Sequence, residues 1–245
     1  MRVVLGLVLL AAAVVLLAPA ALLDRPLALR TGQRLHLADA SGFWWRGNGL
    51  VATSDGAVRV PLAWRIAFAP LLTGALVVEL RPPHDAAVPT GVVALRDGSI
   101  DARELHLRVP AALVAGLVPA LQAVALRGDV DVDAPSFIWR NGRVSGTLNA
   151  TWQRAGAAMP GFVVDLGRVS LSGAPSAAGV AGTVSNTGGD VAVDGSLEAR
   201  ADGIDVSLAL TPTGRASDAL RTALPLLGSP DRAGGVRIAW RSGRR

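Results

Sequence analysis

The chain has 245 residues, of which 51% are hydrophobic, and its 24 basic residues, all arginine, stand against 19 acidic ones. This length predicts one domain or two small ones with a sizeable core. The absence of cysteine excludes disulfides, iron–sulfur clusters, thiolate zinc sites and thiol catalysis. Three histidines leave little material for a metal centre, so neither a metal nor a cofactor is predicted.

The positive charge lies at the two ends of the chain. Arg2 precedes the first apolar run, and five arginines without an acid follow Asp231. Residues 3–231 carry 18 arginines against 19 acids, a net charge of −1. Binding of nucleic acid calls for a basic stripe with placed aromatics or for a known module. The body of the chain has neither, so no nucleic-acid partner is predicted.

The first predicted element is a membrane anchor at residues 3–23, which carry no charge. As a helix this segment would be about 31 Å long, the thickness of a bilayer's hydrocarbon core. A cleaved signal peptide is the alternative, because Ala18-Pro19-Ala20 fits a small-residue cleavage site. The run is longer than a usual signal core and Pro19 is badly placed for cleavage, so an uncleaved anchor is favoured. Its anchor residues are Val3, Leu5, Leu7, Leu10, Val14, Leu17 and Leu23.

Only two residues precede this segment, as in anchors whose large domain is exported.

From Leu35 onward, apolar residues alternate with polar ones, which predicts strands with one buried and one wet face. The longest alternating run is Val58, Val60, Leu62, Trp64, Ile66 and Phe68, and similar runs begin at Val144, Val191, Ile204 and Val236. The turn signals are Asp97-Gly98, Asn141-Gly142, Gly188-Gly189 and Asp202-Gly203. Because such pairs suit tight hairpins, about ten antiparallel strands are predicted.

Two segments have helical spacing instead. Residues 110–117 form the first predicted helix, with proline in its first turn. Ser217 is the predicted N-cap of the second, with Leu220, Leu224 and Leu227 facing inward, and Pro225 and Gly228 keeping it short. Each helix is followed by a strand, which suggests two similar halves within residues 24–245, about 24–128 and 129–245.

The predicted fold is therefore mainly β: one or more strongly curved antiparallel sheets with two short helices, preceded by one N-terminal transmembrane helix. One face of the sheet is apolar and must be covered by a second sheet, by curling of the sheet, or by a ligand. An incompletely covered face would form a groove for lipid or for an apolar peptide.

No motif predicts catalysis or metal binding. Residues 129–133 alternate Asp and Val, but a calcium loop of the EF-hand type needs Gly and Glu where this chain has Ala134 and Arg140. The three aspartates are therefore assigned to the wet face of a strand. The histidines, His36, His84 and His106, lie far apart in sequence. There is no Gly-x-Ser-x-Gly elbow and no lysine for a phosphate loop, so the chain is not predicted to be an enzyme.

The segment Phe43-Trp44-Trp45-Arg46 is the most unusual one and supplies the candidates for partner contact. One interpretation is core filling at a strand, between turn or bulge glycines at 42 and 47. The other follows from strand geometry, since adjacent tryptophans point to opposite faces of a sheet. An outward tryptophan near an anchor would lie at the lipid interface or bind a partner.

An ordered set of segments resembles the type II secretion system protein N family. Residues 41–47 are similar to the family's Ser-Gly-Thr-x-Trp-x-Gly segment, and residues 62–65 to its tryptophan-bearing strand. Residues 185–195 resemble its Gly-Gly strand pair, and residues 219–235 its closing segment. Two departures are Phe43, where a smaller residue is usual, and Asp190, where proline is common.

This resemblance implies a single-pass inner-membrane protein, with most of the chain in the periplasm, that assists export of folded proteins across the outer membrane. It carries over no catalytic residues. The implied partners are other components of the secretion machine and the inner membrane. The family is also similar to envelope proteins with curled sheets that handle lipids, so a lipid-binding groove is the alternative function.

Overall fold

The computed structural model describes residues 16–56, 58–82, 89–117, 124–140, 143–159, 162–176, 179–200, 203–230 and 235–243. The chain divides into two compact units, unit 1 (Met1–Ala94) and unit 2 (Leu95–Arg245). Each unit is described by itself below.

Unit 1 is an antiparallel β unit with two short helices. Its elements, after a 3₁₀ turn at Ala20–Leu23, are α1 (Asp24–Arg30), β1 (Leu35–Phe43), β2 (Arg46–Thr53), β3 (Arg59–Ala67), α2 (Phe68–Leu71) and β4 (Ala75–Arg81). Strand β5 (Thr90–Arg96) crosses the boundary between the units. Strands β1 to β4 pair in chain order, each antiparallel to the next.

Unit 2 contains most of the strands. Its elements are β6 (Ser99–Pro110), α3 (Ala111–Leu117), β7 (Ala125–Arg140), β8 (Arg143–Met159), β9 (Phe162–Pro175), β10 (Gly179–Thr187), β11 (Val191–Arg200), β12 (Gly203–Pro212), α4 (Asp218–Ala223), a 3₁₀ turn (Leu224–Leu227), β13 (Ser229–Pro230) and β14 (Val236–Gly243). The strand order is β6 to β12 in sequence, then β14 and β13. Among the described residues, this order does not close on itself.

The prediction of a mainly β, antiparallel fold is confirmed, although the described residues form fourteen strands and four short α-helices rather than about ten and two. In β3, Trp64 and Ile66 are buried while Arg59 and Arg65 are exposed, as the alternation predicts. The run ends at Ala67, because Phe68 begins α2 rather than continuing the strand.

Bulges bend the three longest strands. The pairing of β7 with β8 shifts register at two places, one of them beside Gly128, and the pairing of β8 with β9 shifts near Ala155. Gly128 has a φ of +92°, and a Cβ there would come within 2.2 Å of the Gln153 carbonyl oxygen, so only glycine fits. Bulges increase local twist and bend the bulged strand, which supplies curvature to this unit.

The buried core of unit 2 lies under α4. Ser217 caps this helix by accepting a hydrogen bond from the Leu220 backbone N–H at 3.2 Å, as predicted. Leu220 and Leu224 are each 2% exposed and pack with Val191 and Val236, which confirms their inward direction. The side chain of Leu227 lies outside the described residues.

Two turn predictions are confirmed by backbone geometry. Asp97 and Gly98 have φ angles of +46° and +73°, and Gly188 and Gly189 of +80° and +85°. Asn141-Gly142 lies outside the described residues, but Arg140 pairs with Arg143 across it. Around Asp202-Gly203, β11 and β12 are antiparallel neighbours, as predicted, with Gly203 paired to Arg200; Asp202 lies outside the described residues. The division into similar halves near residue 128 stays a prediction.

Candidate functional site

The aromatic segment forms the turn between β1 and β2. Phe43 and Arg46 pair as the last and first residues of the two strands, which leaves Trp44 and Trp45 as the turn. The two tryptophans therefore do not alternate across a strand, and both are half-buried. Phe43 is 39% exposed and Arg46 is exposed.

Phe68, at the start of α2, completes a cluster of four aromatic rings. Trp45 stacks on Phe43 with 5.9 Å between ring centroids and lies 5.3 Å from Phe68. Phe68 meets Trp44 edge to face at 6.0 Å. These are the separations of favourable aromatic pairs. Period-two alternation assigned Phe68 to a strand, and Pro70 is the signal for the strand end, since proline cannot donate a ladder hydrogen bond.

This hairpin is bonded to the last part of the predicted anchor segment, residues 3–23. The Trp45 indole N–H donates to the Leu16 carbonyl oxygen at 2.9 Å, and the Trp44 backbone N–H donates to the Ala18 carbonyl oxygen at 3.1 Å. Pro19 forms a β-bridge with Phe43. The aromatic turn and the end of the uncharged segment are thus one local structure.

Large apolar side chains remain exposed around this structure. Leu72, directly after α2, is 90% exposed, and Leu17 is 63% exposed. We define the hairpin patch by its exposed members, Leu16, Leu17, Phe43, Phe68 and Leu72. Exposed apolar groups clustered in this way mark sites of contact with proteins or membranes.

The buried side chain of Trp64 packs against the aromatic turn and is hydrogen-bonded to it. It is 6% exposed, and its indole N–H donates to the Trp44 carbonyl oxygen at 3.0 Å. A Cβ on Gly47 would lie 2.7 Å from the Trp64 ring and 2.7 Å from the Ser41 carbonyl oxygen. Glycine at position 47 is therefore what allows the buried tryptophan to approach the hairpin backbone.

In unit 2, the side chain of Asn186 forms hydrogen bonds that connect three strands. Its side-chain amide donates to the carbonyl oxygens of Val191 at 2.7 Å and Leu166 at 2.8 Å. Its side-chain oxygen accepts from the Val193 backbone N–H at 2.7 Å. The side chain thus joins β9, β10 and β11 next to the Gly188-Gly189 turn.

A second set of polar contacts continues from this turn toward α4. Asp190 accepts from the Asp165 backbone N–H at 3.0 Å, and the Thr213 hydroxyl donates to the Asp190 carbonyl oxygen at 3.0 Å. Arg221 of α4 donates to the Thr213 carbonyl oxygen at 2.8 Å. We call Asn186, Asp190, Thr213 and Arg221 the polar clamp, and its bonds to backbone indicate a structural role.

The predicted wet face of β7 carries two arginine–aspartate ion pairs and one histidine–aspartate contact. Asp129, Asp131 and Asp133 pair with Arg154, Arg108 and His106 respectively. The hydrogen bond and negative charge of Asp131 raise the pKa of the Arg108 guanidinium above its ordinary value. The three aspartates therefore lie on the solvated face, as predicted, with basic neighbours in the described sheet.

The structure does not bring the histidines together in the part of the chain that it describes. His36 lies 3.5 Å from Asp24 in unit 1, His106 pairs with Asp133 in unit 2, and His84 falls outside the described residues. Within the described ranges, no three His, Asp or Glu side chains are grouped as metal ligands would be.

A family model described as type II secretion system (T2SS), protein N, matches residues 33–239, most of the chain. The chain belongs to this family. No curated protein and no solved structure matches it. Membership implies an accessory component of type II secretion that interacts with other components of that system and is located in the envelope.

The segments that carried the resemblance to protein N acquire structural roles. Residues 41–47 form the aromatic turn, with Gly47 against Trp64. Residues 185–195 hold Asn186 and Asp190 of the polar clamp. Asp190 bonds to the neighbouring segments through both its side chain and its backbone.

The structure does not show the predicted transmembrane helix in the residues that it describes. Among the described residues, no helix has the length and apolar character to cross a membrane. Val3, Leu5, Leu7, Leu10 and Val14 lie outside these residues. Leu17 is exposed, whereas Leu23 packs against the core of unit 1. The helical assignment up to Leu23 was therefore too long, because the chain is extended at Pro19 and forms a 3₁₀ turn after it.

Proposed function

We propose that this chain is a non-catalytic, membrane-anchored accessory component of the secretion machine, with its β units on the periplasmic side. The observation that carries the proposal is the bonding of the aromatic turn to Leu16, which lies in the later part of the uncharged segment, residues 3–23. Tryptophan and phenylalanine at that position suit the interface between lipid and water, because their rings are apolar and the indole N–H is satisfied.

The length of the anchor supports a role for the hairpin patch at this interface. Residues 3–17 as a helix would reach about 22 Å, less than the roughly 30 Å of a hydrocarbon core. A short span is accommodated by local thinning of the bilayer and by flanking groups that enter the interface. The exposed Phe43, Phe68 and Leu72 are placed to be such groups.

Two measurements test this proposal. Deleting the gene should reduce the amount of every pathway substrate that reaches the medium, and unchanged secretion of all of them would contradict the role. Alkaline carbonate extraction of membranes should leave the intact chain, starting at its first residues, in the pellet. A mature chain that begins after Ala20 and is released by carbonate would show a cleaved signal peptide instead.

An apolar groove in unit 2 is the second candidate function. Val132, Ala150 and Leu171 are successive cross-strand partners on one face of β7, β8 and β9, and each is only half-buried. The core cluster of this unit lies elsewhere, under α4. Organic extraction of the purified full chain, followed by mass spectrometry, tests for a bound apolar molecule. An Ala150→Phe variant should lose that molecule, and equal recovery from both forms would contradict the groove.

A further inference from the structure

Two arginines face each other on the polar side of unit 1. Arg46 of β2 and Arg65 of β3 are direct cross-strand partners, and both are exposed. Cross-strand partners lie on the same face of a sheet, with Cβ atoms roughly 5 Å apart. Like charges in this position repel each other and destabilise the pair unless an anion lies between them.

The neighbouring acid does not neutralise this pair. Glu79 is the cross-strand partner of Arg65 on β4, but its carboxylate is bonded to Arg81 at 2.9 Å. Within the described part of the chain, no carboxylate oxygen comes within 4.0 Å of the guanidinium nitrogens of Arg46 or Arg65. Arg46, Arg65, Arg81 and one carboxylate therefore lie together at this end of the face, which gives a local charge of about +2.

The arginines line a concave site beside the aromatic turn. A cavity of about 500 Å³ in unit 1 is lined by Phe43, Trp45, Arg46, Asn48, Arg65 and Arg81, among others. Guanidinium groups present planar forks of donors that match phosphate oxygens. The stacked rings of Phe43 and Trp45 give the same cavity an apolar wall. This combination fits a ligand that has both a phosphate and a hydrocarbon part.

The position of the cavity indicates where such a ligand comes from. Trp45 lines the cavity and is bonded to Leu16, and Phe43 belongs both to the cavity and to the hairpin patch. A surface that carries apolar groups next to uncompensated cations is suited to a membrane with anionic headgroups. We propose that Arg46 and Arg65 bind the phosphate of an anionic phospholipid of the phosphatidylglycerol type. This inference rests on the proposed association of the chain with the membrane.

The test compares lipid retention by the full chain in mild detergent. The protein is incubated with equal amounts of phosphatidylglycerol and phosphatidylcholine, and bound lipid is counted by native mass spectrometry. Wild type should retain several-fold more phosphatidylglycerol, and the R46Q/R65Q variant should retain the two lipids equally. Arg59→Gln is the matched control, because Arg59 is exposed on the same face of β3, about 20 Å away, and it should behave as wild type.

A further arm distinguishes lipid from free phosphate. Inorganic phosphate at the same concentration should leave phosphatidylglycerol bound, because it lacks the part that contacts the rings. Displacement by phosphate would overturn the assignment to lipid. Equal retention of both lipids by wild type, or an undiminished preference in R46Q/R65Q, would overturn the site itself.

Folding of the variant is monitored independently, and the outcome is separable from the proposed function. Removing the facing charges should leave the thermal midpoint of R46Q/R65Q in lipid-free detergent equal to or above that of wild type. A lower midpoint would contradict the repulsion on which the site rests. The retention assay does not depend on secretion, so a failed lipid preference with intact export would reject this site alone.

Discussion

Replacing Asn186 with alanine removes the centre of the polar clamp. The substitution leaves the Val193 backbone N–H without its acceptor and the carbonyl oxygens of Val191 and Leu166 without their donor. Asn186 is half-buried, so water can replace the lost hydrogen bonds only partly. The expected result is destabilisation of unit 2, centred on the β10–β11 hairpin.

The magnitude follows from the bonds that are lost. A neutral hydrogen bond contributes about 1 kcal/mol net, and a buried group left unpaired costs about 1–3 kcal/mol. Three bonds at 2.7, 2.7 and 2.8 Å are removed. We therefore expect a loss of about 3 kcal/mol in unfolding free energy, since each bond contributes about 1 kcal/mol. For a chain of this size this corresponds to a fall of about 6–12 °C in Tm.

The assay is thermal unfolding of the full chain in detergent, combined with hydrogen exchange at the Val193 amide. Asn149→Ala is the matched control, because Asn149 is exposed on the solvated face of β8. The control should stay within about 0.5 kcal/mol of wild type. If Asn186→Ala unfolds at the same temperature as this control, and Val193 exchanges no faster, the clamp does not hold the hairpin.

Three further substitutions are expected to act through named contacts. Leu220→Ala should lower the unfolding free energy, measured in urea, by about 3–4 kcal/mol. The reason is that Leu220 is only 2% exposed, so truncating it leaves a cavity in the core. Ser217→Ala should cost about 1 kcal/mol through loss of the N-cap, and an unchanged urea midpoint would contradict the cap. Gly47→Ala should cost about 1–3 kcal/mol by overpacking and red-shift tryptophan emission as Trp64 becomes exposed; an unshifted spectrum would contradict this contact.

The sequence predicted those elements that are determined by residues close together in the chain. Ser217 as an N-cap and the alternation of Arg59 to Ile66 could be read from neighbouring residues. Family membership followed from short ordered segments, and the match over residues 33–239 confirms it. The aspartates of β7 were placed correctly because alternation alone separates the two faces of a strand.

The features that the sequence did not reveal depend on pairing between distant segments. The meeting of Arg46 with Arg65 requires the register of the β2–β3 pair, which no short motif fixes. The place of Phe68 in the aromatic cluster depends on a turn of helix after β3 that period-two alternation concealed. The bond from Trp45 to Leu16 joins residues 29 positions apart, and only the folded hairpin brings them together.

The most direct test of the central claim is complementation of the deletion strain. The chromosomal gene is replaced by the full chain, or by a form in which residues 1–17 are exchanged for a cleavable secretory signal peptide. Export of pathway substrates into the medium is then measured at matched protein levels. The account predicts full export with the intact chain and strongly reduced export with the released form. Equal export by the released form would contradict a membrane-anchored role in secretion.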